Sequence, residues 1–318
     1  INPATGKLAY RNVMVTIPRQ GGKSTLMLVV MLTRCVGWAE RQRIVYTAQD
    51  GRSASEKFEE DYVETLRNTR GLTEGRDFEA RLGNGKERIL WLKNRSLIRP
   101  SATTPRSGHG KTLDLAVIDE AFAHTDLRLD QSFGPPMLTR PAPQLWVTST
   151  AGTWQSLYFN SKRQAGREAV EEGNPNNSFA YFEWSADDDA DLWDRDVWRR
   201  THPALGHTIT EEALEAESRK MLADPELGEA EARRAYLNQT RGLKEMPAEI
   251  PPALWMAACD AHSSIAPESE AALAIDMTPN RARLALCVAG WRPDGNAHLG
   301  LLDERPDSTW LIERLDEI

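Results

Sequence analysis

The run "YRNVMVTIPRQGGKSTLMLVVMLTRCVGW", residues 10–38, constrains this chain more than any other. Its first eight residues are mostly apolar and β-branched, the composition of a buried strand. Two glycines follow, then Lys23, Ser24 and an apolar segment of helical length. A strand, a glycine turn and a helix in that order make a loop whose backbone N–H groups turn inward around a phosphate, because glycine adopts backbone angles that other residues avoid. Gly21 and Gly22 supply the turn, Lys23 a charge for the β- and γ-phosphates, and Ser24 a hydroxyl for Mg²⁺ at the start of the helix. The usual first glycine of such a loop, six residues before the lysine, is absent: Ile17 stands there, with Arg19 close behind. A chance GGKST in a linker is the competing reading, and the flanking strand and helix weigh against it.

The pattern continues as strands alternating with helices, which argues for an α/β fold with a parallel sheet. "RIVYTAQ" (43–49) reads as a strand, "SASEKFEEDYVETLRNT" as a helix, and "ERILWLKNRSLIRPSA" (87–102) as a hairpin turning at Lys93-Asn94. "LDLAVIDEA" (113–121) is a buried strand ending in two acids, and "QLWVTSTAG" (144–152) a further strand ending in hydroxyl residues.

Those strand ends carry chemistry that matches the loop. Asp119 can hold Mg²⁺ through water, and Glu120 can orient and deprotonate an attacking water, the base that phosphoryl transfer to water requires. Thr148, Ser149 and Thr150 can hydrogen-bond the γ-phosphate or the water and pass on its loss. Arg106, in the glycine-rich "TTPRSGHGKT", can be presented to a neighbouring subunit's nucleotide as an arginine finger. Each feature has a plainer reading: a strand meeting solvent, a strand-end turn, a solvated arginine.

Past residue 178 the chain becomes acidic and tryptophan-rich, then helical, with Thr210 placed to cap a helix that begins Glu211-Glu212. "MPAEIPPALW" (246–255) reads as a joint. Three strand-like runs and a helix follow. There is no internal repeat.

Composition narrows the class. The chain has 318 residues, a soft prior for about two domains. Its net charge of −8 argues against a surface that binds nucleic acid everywhere, and leaves a local basic channel open. No run approaches the ~18 apolar residues of a membrane helix. Cys35, Cys259 and Cys287 are far apart and show no CxxC spacing, which disfavours a disulfide framework or a zinc knuckle and fits a reducing compartment. His202 and His207 lack the cysteine pair that would complete a metal site and read as structural histidines. The opening "INPATGKLAYRN" and the closing "STWLIERLDEI" read as interrupted, so a fragment truncated at both ends is expected.

Together these residues resemble the large terminase subunit of tailed bacteriophages, a DNA-packaging ATPase and nuclease. That family often writes its phosphate loop without the first glycine, as Arg-x-x-Gly-Lys-Ser/Thr, which Arg19-Gln20-Gly21-Gly22-Lys23-Ser24 matches. "YTAQDGRSASEKF", "RSGHGKTLDLAVIDEA" and "TSTAG" fall where the family has its second strand, acidic strand and coupling motif. "DVWRRTHPALG" and "RRAYLNQ" resemble its lid. The resemblance implies a RecA-like P-loop NTPase core of the additional-strand, catalytic-glutamate type over 1–178, a helical lid over 179–250, and the incomplete start of an RNase H-like nuclease domain over 251–318.

The resemblance also implies roles and partners. ATP and Mg²⁺ are the expected ligands, with Arg19 through Thr25 on the nucleotide, Ser24 and Asp119 on Mg²⁺, Glu120, Arg106 and Arg19 in catalysis, and Thr148–Thr150 in coupling. Asp276, in "LAIDMTPNRARLALCVAG", takes the place of a metal-binding aspartate of the nuclease, which uses Mg²⁺ or Mn²⁺. One aspartate is too few for two-metal chemistry, so nuclease activity is expected of the intact protein only. Double-stranded DNA, a homo-oligomeric ring on a portal and a small terminase subunit are the expected partners, with no membrane, in the cytoplasm of a bacterial host. The family's upstream adenine-holding segment is missing, which predicts weak ATP affinity. Arg199-Arg200, Arg233-Arg234 and Arg281/Arg283 are candidates for the DNA channel. Two other readings remain: another P-loop translocase or helicase, for which 153–250 has too few strand signals to form a second RecA-like module, and a non-catalytic nucleotide-dependent DNA-binding scaffold, which would not need Glu120.

Overall fold

The computed structural model describes residues 8–83, 85–102, 112–153, 155–173, 178–224, 227–240, 252–260, 262–277, 283–306 and 308–317. The chain divides into two compact units, Ile1–Met246 and Pro247–Ile318.

The first unit is built on β1 (Asn12–Thr16), α1 (Lys23–Gly37) and β2 (Arg43–Thr47). A helical segment follows: α2 (Gly51–Lys57), a π-helical turn (Phe58–Val63) and α3 (Glu64–Asn68). The wider turn brings Phe58, Tyr62 and Val63 onto one buried face, which α-helical spacing would not do for the last of them. Then come β3 (Phe78–Arg81), β4 (Arg88–Trp91), β5 (Leu97–Pro100), β6 (Leu115–Ile118), a 3₁₀ turn (Ala121–Ala123), α4 (Arg128–Met137), β7 (Gln144–Ser149), α5 (Leu157–Glu172) and β8 (Phe179–Glu183). The helices α6 (Arg195–Thr201), α7 (Glu211–Met221) and α8 (Gly228–Tyr236) close the unit.

The eight strands form one sheet in the order β3-β4-β5-β2-β6-β7-β1-β8. From β5 to β8 neighbours run parallel, and the β3–β4 hairpin adds an antiparallel edge. Parallel strands buried on both faces need near-continuous apolar runs, and Leu115–Ile118 is buried throughout. One face packs Met27 and Met31 of α1 against Tyr46, Phe58 and Tyr62. The other packs Ile118 and Val147 against Phe133 of α4 and Tyr158 and Phe159 of α5. Each large side chain so buried contributes about 1.5–3 kcal/mol.

Two elements differ from the sequence pattern. Phe179–Glu183, at the expected start of the lid, adds to the sheet beside β1, with Asn12 opposite Phe179. The helices α4 and α5 occupy stretches without clear helical periodicity; α4 runs over Pro135-Pro136, and α5 is mostly polar with Tyr158, Phe159, Arg163 and Gly166 buried. The cap expected at Thr210 is present: its hydroxyl accepts from Ala213 N at 3.2 Å. The α6–α8 layer has its own core around Trp198, Leu214 and Leu237.

The second unit contains α9 (Pro252–Ala258), β9 (Ala271–Met277), β10 (Arg283–Trp291), β11 (Ala297–Pro306) and α10 (Leu311–Asp316). The three strands form an antiparallel sheet in the order β11-β10-β9, and Leu284 and Leu286 bury one face against Trp310. No helix among the described residues is long and apolar enough to cross a membrane.

Candidate active site

The chain leaving β1 stays on the sheet for one more residue, where Ile17 N donates to Ser149 O at 3.2 Å. It then folds tightly, with Gly21 N donating to Pro18 O, also at 3.2 Å. Gln20 takes the left-handed conformation at φ 60° and Gly22 at φ 90°. A Cβ on Gly21 would lie 2.9 Å from Ile17 Cδ1 and 3.0 Å from Pro18 O, so the loop closes on itself there. Ile17, in the place of the missing glycine, is a buried side chain packed with Val13, Val15 and Ala180. The turn is therefore made three residues later, and the helix begins when Leu26 N donates to Gly22 O. Its first amides carry the positive end of the helix dipole and suit an anion.

Lys23 is buried at 6% exposure. Its Nζ donates to Thr150 Oγ1 at 2.7 Å and reaches Pro18 O and Ile17 O at 3.2 and 3.4 Å. Burial lowers its pKa, against the opposing pull of Glu120 and Asp119.

Asp119, directly after β6, is fully buried. Its carboxylate accepts from Thr148 Oγ1 at 2.7 Å, Lys57 Nζ at 2.8 Å, Tyr46 OH at 3.2 Å and Glu120 N at 3.0 Å. Burial, and then the negative charge of Asp119, push the Tyr46 phenol well above its ordinary range. Glu120 sits in the left-handed region at φ 54°, ψ 47°, a conformation that costs a non-glycine residue about 1–3 kcal/mol and concentrates at functional sites. Burial raises the pKa of its carboxyl and Asp119 raises it further, while Lys23, Lys57 and Arg19 oppose.

Lys23 and Glu120 face a cleft of about 660 Å³, lined also by Gly22, Ser24, Lys57 and Tyr62. That volume suits a ligand of nucleotide size. Gln20, Gly21 and Thr25 also line it. The Asp119 carboxylate, paired at 2.8 Å with the cleft residue Lys57, and the Ser24 hydroxyl on the cleft are hard oxygen donors of the kind that Mg²⁺ takes. The residues therefore fit the ion.

The hydroxyl strand wires this cradle together. Thr148 holds Asp119 and Thr150 holds Lys23. Ser149 Oγ donates to Thr150 O at 2.6 Å and accepts from Phe122 N at 3.0 Å. From there the connection reaches α6–α8. Ala151 N donates to Asn238 Oδ1 at 2.6 Å, and Asn238 Nδ2 donates to Thr16 Oγ1 and Trp184 O, each at 2.9 Å. The peptide of Arg19 is held on both sides, its N–H donating to Ala235 O at 2.7 Å and its carbonyl accepting from His202 Nε2 at 2.9 Å. The Arg19 side chain is exposed, within electrostatic reach of Lys23, Glu120 and Glu231. Arg234 of α8, paired with Glu231, donates to Ala151 O at 3.1 Å.

Of the expected site residues, the structure thus brings Gln20 through Thr25, Asp119, Glu120 and Thr148–Thr150 to one place. Arg106 lies outside the described residues. Asp276 belongs to the second unit, exposed on β9 with its carboxylate accepting from Met277 N at 2.9 Å. It shares a rung with Ala285 and Glu304, and Glu304 is paired with Arg283. Two strand spacings, about 10 Å, separate the backbones of the two acids. No cluster of three or more His, Cys, Asp or Glu suited to a metal ion occurs among the described residues. Lys57, Tyr46, Asn238 and His202 also reach the site; each lies in a stretch that resembles the family, but the motif chemistry assigns none of them a role.

No family model and no curated protein matches the chain. Among solved structures, the large terminase of bacteriophage HK97 superposes with a TM-score of 0.67 at 20% identity, over 97% of this chain and 62% of that one. The fold is that of a phage large terminase. The chain spans 62% of the length of the HK97 terminase chain. Weaker likenesses are to the large terminase of a thermophilic bacteriophage in complex with ADP (TM-score 0.49, 10% identity, 97% of this chain and 68% of that one) and to the Thermus phage P74-26 large terminase ATPase domain (0.43, 19%, 74% and 91%).

Proposed function

We propose that this chain is the motor portion of a DNA-packaging terminase, an ATPase whose turnover drives double-stranded DNA into a procapsid. The observation that carries the reading is the cradle itself: Lys23 bonded to Thr150, Asp119 bonded to Thr148, and Glu120 facing Lys23 across the same cleft.

In this reading the ATP β- and γ-phosphates lie over the N–H groups of Gly21 to Lys23, and the Lys23 ammonium turns from Thr150 to them. Ser24, and Asp119 through water, would hold Mg²⁺, whose charge would neutralise that of the phosphates. Glu120 takes a proton from the water as its oxygen bonds to the γ-phosphorus and the bond to the bridging oxygen breaks, leaving ADP and phosphate. Thr150 regains Lys23 once the phosphate leaves, and the Ala151–Asn238 bond carries that change to α6–α8. Arg19 and Arg106 add positive charge, Arg106 from a neighbouring subunit of a homo-oligomeric ring.

The proposed organisation is an ATPase core over 1–178, a lid over 179–250 and the start of an RNase H-like nuclease over 251–318. The antiparallel three-stranded sheet with Asp276 on β9 supports the last, with Asp276 a ligand for Mg²⁺ or Mn²⁺ in a nuclease that cuts concatemeric DNA. The ring would dock on a portal with a small terminase subunit in the host cytoplasm.

The test is phosphate release from ATP by wild type and Glu120→Gln, with and without linear duplex DNA. Loss of a general base costs about 10²–10⁴-fold; DNA-stimulated release abolished in the variant is expected. Equal release by both would remove Glu120 from its role. For Arg106, mixtures of Arg106→Ala and Glu120→Gln subunits are expected to recover activity that neither has alone.

A further inference from the structure

The β3–β4–β5 end of the sheet carries an unusual row of charge. In the hairpin Arg81 stands opposite Arg88. The register of β4 on β5, with Ile89 against Ile98 and Leu90 against Leu97, sets Arg88 beside Arg99. Arg99 in turn stands opposite Val45 of β2. Residues paired across strands share a face, so three arginines occupy one rung, on the face opposite the core formed by Ile44, Ile89 and Ile98. Beside them Arg41, Arg43 and Arg99, with Ser101 and Thr112, line a pocket of about 280 Å³.

No carboxylate among the described residues forms an ion pair with this row, although the exposed Glu79 stands on the same face, opposite Leu90. Several arginines elsewhere on the unit have acidic partners, as Arg52 has Glu56, Arg67 has Glu74 and Arg76 has Asp77. Arg41, Arg81, Arg88 and Arg99 make no ion pair among the described residues, and the Nε of Arg99 is buried without a hydrogen-bond partner. Burial, and then the charges of Arg88 and Arg41, make the Arg99 guanidinium less stable than usual. Like charges placed directly across strands weaken a sheet, so the row costs stability that an anion would restore.

We propose that this arginine-lined face binds the phosphate backbone of double-stranded DNA. The inference rests on the packaging reading for its choice of partner. Strands lie about 4.8 Å apart, so the rung spreads its charge over about 10 Å. A duplex carries one charge every ~1.7 Å of axis, and several phosphates meet such a row at once. The guanidinium fork matches phosphate oxygens in pairs, and Ser101 and Thr112 add hydroxyl donors. Protein interfaces, by contrast, are anchored by protruding aromatic or apolar groups; the residues alternating with these arginines, Leu90 and Leu97, are buried or half-buried.

The experiment compares wild type with Arg81→Gln/Arg88→Gln/Arg99→Gln in binding a fluorescent linear duplex across a salt series. Each phosphate contact contributes about 0.9 to the slope of log K against log salt. The variant is expected to lose about 2–3 of that slope and to bind at least tenfold more weakly at low salt. A charge-matched control, Arg52→Gln/Arg67→Gln/Arg76→Gln, which removes only arginines that already have partners, is expected to change neither. The variant's melting temperature is expected to equal or exceed that of wild type, which excludes misfolding as the cause. Unchanged slope and affinity in the folded variant would overturn the proposal. So would loss of self-association without loss of DNA binding, which would assign the face to an acidic surface of a second copy. DNA-independent ATP turnover and its loss in Glu120→Gln report the motor reading separately: a chain that hydrolyses ATP but binds DNA equally well without the arginines refutes only this surface.

Discussion

The Lys57 ammonium lies 2.8 Å from the fully buried Asp119 carboxylate. Lys57 ends α2, while Asp119 directly follows β6, so the pair joins the segment after β2 to the acidic strand. Breaking a buried pair by removing one partner costs about 3 kcal/mol, because the remaining charge stays desolvated. Lys57→Met is therefore expected to lower the unfolding free energy in the absence of metal by about that amount. Mg²⁺ would then replace the lost charge, so the variant should gain more in melting temperature from added Mg²⁺ than wild type does. Thermal melts with and without Mg²⁺ check this; equal gains in both proteins would show that Asp119 does not receive the ion.

Glu120 yields a prediction in pH. Its folded pKa lies above the ordinary 4.5, through burial first and Asp119 second. A carboxyl raised on folding stabilises the fold only while protonated, so its ionisation weakens the protein as pH rises through and above 4.5. Glu120→Gln is expected to match wild type in stability at acid pH and to exceed it near neutrality. The acidic limb of kcat/KM for ATP should have its midpoint above 4.5, since the base must be ionised to act. Denaturant titrations at pH 4 and pH 7 measure the first; a constant difference between the two proteins at both values would refute it.

How much of this was legible in the sequence follows from how local each feature is. The turn at Gly21-Gly22, Lys23, the acid pair and the hydroxyl strand end are short contiguous patterns on predictable strands, and they meet because parallel strands present their carboxyl ends together. Lys57, Asn238 and His202 reach the same place through contacts spanning 62, 87 and 183 residues; they lie in stretches that resemble the family, but their roles follow only from those contacts. The arginine row is a matter of register between β3, β4 and β5, which spacing along the chain does not fix. The helix α5 hid because its buried side is narrow, and α4 because Pro135-Pro136 reads as a break, although near the end of a helix the lost N–H bonds are few.

Asn238 is the joint between the hydroxyl strand and α6–α8. It is fully buried, adopts φ 55°, and bonds to Ala151 N, Thr16 Oγ1 and Trp184 O. Asn238→Leu would strand those groups and place a branched side chain in a left-handed conformation. Each unsatisfied buried group costs about 1–3 kcal/mol, so a loss of at least about 3 kcal/mol is expected in urea denaturation. Asn238→Gly relieves the backbone and keeps the other loss. If the joint transmits the state of the nucleotide site, Asn238→Gly should retain DNA-independent ATP turnover and lose its stimulation by DNA. Full stimulation in that variant would place the coupling elsewhere.

His202 and His124 make the first unit sensitive to mild acid. Both are buried and both have pKa values lowered from 6.5, chiefly by burial. His202 Nδ1 and His124 Nε2 each lack a partner that could receive a new proton's N–H. A histidine depressed on folding contributes stability that is present above its unfolded value and lost as pH falls below it. Unfolding midpoints in urea are therefore expected to hold steady from pH 8 to 7 and to fall between pH 6.5 and 5. His202→Gln keeps a side-chain N–H for the Arg19 carbonyl but cannot be protonated, and His124→Asn removes the second titrating ring. The double variant should show a flatter profile over that interval, even if its midpoint at pH 8 is lower. A slope as steep as that of wild type would show that these two rings do not carry the acid sensitivity; Glu183, half-buried but held down to about 2 by Arg167 and Arg163, loses its contribution only below about pH 4.5.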